Sequence, residues 1–139
     1  MWKALLAAGL ISGLAACDKK PPSSPPTARE LKARDFTRAM KAIDKECDGL
    51  QEDLDAGKPP EEARRRIAAI RTAAERASTL DYRDTEAENR GLKFEFRTFL
   101  DAAGKLENAT WEGDDGKRAF RRLAAACATC HDQYKDKDR

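Results

Sequence analysis

Apolar residues recur along this chain at alternating intervals of three and four in four separate stretches. That spacing matches the turn of an α-helix and predicts four amphipathic helices, each with one stripe facing a core. The first runs from about Ala33 to Asp55 and carries Phe36, Met40, Ile43, Cys47, Leu50 and Leu54. Gly57 with Lys58-Pro59-Pro60 stops it. The second opens at Pro60-Glu61-Glu62, a proline and two acids suited to a first turn. It aligns Ala63, Ile67, Ile70, Ala74 and Ala77 before ending near Thr79. The third extends from about Asp84-Thr85-Glu86 to Ala109, with Leu92, Phe96, Phe99, Ala103 and Leu106 on its stripe and Phe94 and Leu100 broadening it. The fourth opens after Asp114-Asp115 and carries Phe120, Leu123, Cys127, His131 and Tyr134.

Short connections between amphipathic helices predict an all-α fold, an up-down-up-down antiparallel four-helix bundle. Composition agrees: valine is absent and isoleucine scarce, while Ala, Leu, Glu, Lys and Arg dominate, which favours helix over strand. The stretch 33–137 suits one small domain.

The chain outside those helices is of another kind. Met1-Trp2-Lys3 is a short basic start, and Ala4 to Ala16 is an apolar run too short for a comfortable transmembrane helix, so 1–16 reads as a signal peptide. The run ends in Leu14-Ala15-Ala16-Cys17, which resembles the lipobox of bacterial lipoproteins. That resemblance implies cleavage before Cys17, a diacylglycerol on its sulfur and attachment to a membrane. Ordinary signal cleavage, with Cys17 incidental, is the other reading. Residues 17–32, with Pro21-Pro22-Ser23-Ser24-Pro25-Pro26 at their centre, read as an extended tether. Of the 27 Lys and Arg, only Lys3 lies in the signal segment, leaving 26 against 25 Asp and Glu. This near-neutral, interleaved charge gives no basic patch for nucleic acid.

The chemistry is concentrated in Cys127-Ala128-Thr129-Cys130-His131, the spacing of c-type haem attachment. Each thiol adds across one haem vinyl group to give a thioether, and the imidazole of His131 reaches the iron from the proximal side. The single histidine of the chain stands at the one position this motif needs. A zinc site would want further ligands at a second knuckle, and Cys17 and Cys47 are distant in sequence. A thioredoxin-like pair would sit in a βαβ pattern, and no stretch here reads as a strand. With Cys127 and Cys130 on haem and Cys17 on lipid, Cys47 is left as a buried, reduced thiol.

In an antiparallel bundle the start of the first helix lies level with the end of the fourth. At about 1.5 Å per residue, Met40 and His131 then match in height within a few ångströms. The Met40 thioether, a soft ligand, is in place as second axial ligand to the iron. The same levels place Ala73, Ala74 and Ala77 of the second helix and Ala124-Ala125-Ala126 of the fourth beside the haem, where small side chains leave room for it. Leu92 and Phe96 are expected against its faces, with Phe99 and Ile70 as the floor.

Four helices ending in Cys-x-x-Cys-His-x-x-Tyr-Lys resemble the cytochromes c′ and their low-spin relatives. The stretch Asp35-Phe36-Thr37-Arg38-Ala39-Met40-Lys41-Ala42-Ile43 is similar to the segment bearing the axial methionine in four-helix b-type cytochromes of the bacterial periplasm. Together the resemblances cover about Ala33 to Lys137. Cytochromes c′ often carry an arginine four residues before the distal position, near a haem propionate. Here that residue is Phe36, and Arg34 and Arg38 are out of register.

The resemblance implies one covalent haem c, attached after export, in a periplasmic protein. Two readings follow. Iron ligated by His131 and Met40 suits a one-electron carrier between redox partner proteins; five-coordinate iron suits binding of nitric oxide or another small gas, as in cytochromes c′. The Met40 position favours the carrier. Enzyme chemistry is the weakest reading, because the only histidine is committed to iron and no acid–base pair flanks an open pocket. A monomer or a homodimer is compatible with the sequence.

Overall fold

The computed structural model describes residues 24–58 and 60–134, with the backbone alone at Tyr134. The expected signal peptide, Cys17 as the expected lipid site, most of the expected Pro/Ser-rich tether and the last residues of the expected domain lie outside the described residues. Four helices follow in order: α1 (Ala28–Asp55), α2 (Pro60–Ser78), α3 (Glu86–Glu107) and α4 (Asp115–Tyr134). Each packs on its chain neighbour, and α1 meets α4 to close the square, so the architecture is the up-down-up-down four-helix bundle. The α1–α4 seam is much the weakest of the four lateral contacts. No helix among the described residues is long and apolar enough to cross a membrane.

Helix α1 begins five residues before the expected Ala33, at the expense of the tether. The reason is local. Thr27 Oγ1 accepts the Glu30 N–H at 3.2 Å, and the Glu30 carboxylate accepts the Thr27 N–H at 2.6 Å, a reciprocal capping box. Thr85 and Glu88 build the same device at the start of α3. Helix α3 ends at Glu107, with Asn108 as its C-cap, two residues before the expected Ala109. At the end of α1, Gly57 takes a φ of +63°, while the Lys58 N–H reaches Asp53 O at 2.9 Å and the Gly57 N–H reaches Leu54 O at 3.3 Å. This left-handed turn satisfies the last carbonyls of the helix, and a Cβ at Gly57 would strain it.

The stripes meet in one core. Ile43, Leu50, Ile67, Ile70, Leu106 and Leu123 are fully buried, with Leu92, Phe96, Phe99 and Ala103 beside them. Burial of one such large side chain stabilises the fold by about 1.5–3 kcal/mol. Phe36 stacks on Tyr82 at 4.3 Å between ring centroids and meets Phe96 edge-on at 5.9 Å. Tyr82 thus brings the α2–α3 connection into the core. Phe94, expected to broaden the α3 stripe, is 60% exposed instead. It is two residues from both Leu92 and Phe96, a separation that turns it away from the face they share.

Away from the α4 C-terminus, one ionic group ties α1 to α2. Asp53 is buried and takes the Arg66 guanidinium on one carboxylate oxygen and Lys58 Nζ, at 2.7 Å, on the other. Arg66 also reaches Glu46 at 3.1 Å. A Cβ at position 49 would collide with the Arg66 guanidinium, so Gly49 is what lets that side chain lie against α1. Hydrogen bonding to Lys58 and Arg66 holds the Asp53 carboxyl below its ordinary value.

Candidate haem-attachment site

The sequence places Cys127 and Cys130 three apart and Cys127 and His131 four apart, so α4 carries all three on neighbouring positions of its inner side. Cys130 is buried, at 8% exposure, while Cys127 and His131 are half-buried. None of Cys47, Cys127 and Cys130 is in a disulfide.

Both motif cysteines line a cavity between α4, α1 and α3. Met40 and Ile43 come to it from α1, and Glu95, Phe96 and Phe99 from α3. The cavity is narrow, about 10 Å³, or room for about one water. Its lining is apolar apart from Glu95 and the sulfurs. Burial, followed by the neighbouring Glu95, pushes the Cys130 thiol up to about 11. Burial and then Cys127 push the Cys47 thiol up to about 12. Cys47 therefore sits beside the motif as a protonated, half-buried group.

Of the expected pocket residues, Phe96 and Phe99 line the cavity with Met40. Leu92, Ala74, Ala77 and Ile70 are buried, but in the general core and not among the lining residues. Ala73 and Ala126 are partly buried against that core, whereas Ala124 and Ala125 are exposed and do not open space inside the bundle. They precede Ala126 on the α4 face that turns to solvent.

Two acids join the site that periodicity did not single out. Glu95 sits next to Phe96 at the edge of the α3 stripe. Asp44, next to Ile43 on α1, brings a carboxylate oxygen to Cys127 Sγ and a His131 ring nitrogen, the three ligand atoms all within 4.8 Å of one another. Each lies one position from a core residue, and that adjacency was the only sequence signal. At the position where cytochromes c′ often carry arginine, Phe36 is occupied by its stack with Tyr82 and Phe96. Arg34, Arg38, Thr37 and Lys41 flank an open groove on the α1 surface.

The donor types fit a covalently held haem: two thiols three apart and a thioether from another helix on one cavity, with an imidazole at the adjoining position that is not among the residues lining it. The chain matches no protein-family model, no curated protein and no solved structure. The likeness to cytochromes c′ therefore rests on the motif and the bundle.

Proposed function

We propose that this chain is a c-type haem protein that carries one electron at a time on the periplasmic side of a bacterial membrane. The observation that carries the reading is the Cys127-x-x-Cys130-His131 motif set on a helix whose two cysteines share an apolar cavity with Met40. Bound there, haem would supply an iron that exchanges one electron between its ferric and ferrous states. Cys127 and Cys130 would hold it through thioethers, so that it stays with the chain in a compartment where a loose cofactor would be diluted. His131 and Met40 would hold the iron, one through a nitrogen and one through a soft sulfur, a ligand pair suited to electron exchange over gas binding.

Ile43, Phe96 and Phe99 would keep water from the metal, which together with the Met40 sulfur raises its reduction potential. The cavity is narrow, so room for haem would come from parting α1 and α4. Their seam is the weakest in the bundle, so this separation disturbs the least packing. The segment ahead of Thr27 would act as a tether from a lipid on Cys17, holding the bundle near redox partner proteins in the same compartment.

The experiment is export of the full chain in a host competent for haem attachment, followed by acid–acetone extraction. Retention of haem by the polypeptide, lost in the Cys127→Ser/Cys130→Ser double variant, supports the assignment. Extraction of all haem from the parent chain would refute it.

A further inference from the structure

We infer that the haem-free chain chelates one thiophilic divalent cation, of the zinc type, through Cys127, His131 and Asp44. Cys127 and His131 are four apart on α4, the separation at which two helical side chains stand one above the other and can grip a single ion. Asp44 arrives from α1, across the seam where the two helices are least engaged. The three ligand atoms lie within 4.8 Å of one another. Zinc holds sulfur, nitrogen and oxygen at about 2.0–2.3 Å, which sets tetrahedral ligands roughly 3.3–3.8 Å apart. Side-chain rotation of about an ångström therefore closes the site, with no change in the helices.

The donor types agree with such an ion. A thiolate and an imidazole select zinc-like cations over magnesium or calcium, and a carboxylate adds the charge that makes the site neutral. Among the described residues Asp44 makes no hydrogen bond or ion pair, and its charge is felt by the neighbouring Cys47 thiol. Coordination replaces the Cys127 thiol proton, which leaves to solvent. Asp44 is exposed, and this side of the site leaves a fourth position for water. Cys130 lines the apolar cavity and is not part of the set.

A zinc reading of the sequence fails for want of a second knuckle. Here the third ligand is supplied by helix packing, from a residue more than eighty positions away. The ion uses the sulfur and the imidazole that haem would need, so the two exclude each other. That consequence rests on the haem reading; the chelation does not.

The test is titration of the full, haem-free chain with Co2+, followed by displacement with Zn2+. One Co2+ per chain should bind with a thiolate-to-metal charge-transfer band. Asp44→Asn should weaken binding by about tenfold or more, and Cys127→Ser should remove the band. Zn2+ should also shield Cys127, mapped by peptide mass, from a maleimide. Absence of the band, or Co2+ affinity unchanged in both variants, would overturn the site. Haem attachment is scored separately in zinc-depleted cells: a chain that binds Co2+ yet never acquires haem sinks the haem reading alone.

Discussion

Met40 of α1 and Cys130 of α4 line the same cavity, although they stand near opposite ends of the described chain. Antiparallel packing brings them to one level, and the cavity between them is otherwise lined by Ile43, Glu95, Phe96, Phe99 and Cys127. A methionine on the core stripe would pack against any apolar neighbour. Its position beside both motif sulfurs is what the proposed role as an iron ligand rests on.

In the proposed attachment the two motif cysteines would each supply one thioether. With Cys127→Ser or Cys130→Ser, one thioether remains, and mass spectrometry of the exported protein should find the yield of haem-bearing chain sharply reduced. With both changed, no chain should carry covalent haem. An undiminished yield in the double variant would place attachment elsewhere.

The buried core sets the stability of the bundle. Leu50→Ala and Leu123→Ala each remove a fully buried side chain and should cost about 2–5 kcal/mol in chemical denaturation. Phe94→Ala, at a site 60% exposed, should be close to neutral. A Phe94 loss as large as that of Leu50 would mean that Phe94 is covered in solution.

The period of the apolar residues made the bundle legible. The five α2 stripe residues from Ala63 to Ala77, and the five α3 residues from Leu92 to Leu106, are all buried. What periodicity missed has physical causes. The Thr27-x-x-Glu30 capping box started α1 early, because two satisfied backbone donors outweighed the extended bias of the prolines before it. Ala124 and Ala125 suit a pocket by size, but a helix face is chosen by position and not by volume, and both are exposed. Asp44 and Glu95 reach the site through packing between helices, which no single-helix pattern records. The Cys127-x-x-Cys130-His131 spacing needs no packing to be seen, because it lies within five consecutive residues.

Acid should loosen the α1–α2 end. The Asp53 carboxyl lies below its ordinary value of 3.8 because Lys58 and Arg66 hydrogen-bond its charged form. Its stabilisation is therefore present above about pH 4 and is lost as pH falls through the lowered folded value. Asp53→Asn should lower the thermal midpoint at neutral pH and flatten its fall below pH 4. An unaltered acid limb in this variant would assign the acid sensitivity to other carboxylates.

Cys47 should stay reduced. Its half-buried thiol is pushed up to about 12, so at neutral pH almost none is in the reactive thiolate form. Maleimide should label it slowly in the folded protein and rapidly after denaturation. Fast labelling of the native chain, or a Cys47-dependent dimer on a non-reducing gel, would be incompatible with that burial.

The proposed lipid anchor has its own readout. Cys17→Ser should release the exported protein from the membrane fraction or leave the precursor uncleaved, while the parent chain sediments with membranes. A parent chain that is wholly soluble after export, with an unmodified N-terminus, would discard the lipoprotein reading.

The most direct measurement of the carrier account is the absorption spectrum of the reduced haem protein before and after carbon monoxide is added. With His131 and Met40 both on the iron, the spectrum should be low-spin and unchanged by the gas, and Met40→Ala should make it responsive. A high-spin spectrum in the parent protein that shifts promptly with carbon monoxide would contradict Met40 ligation and make gas binding the function of the site.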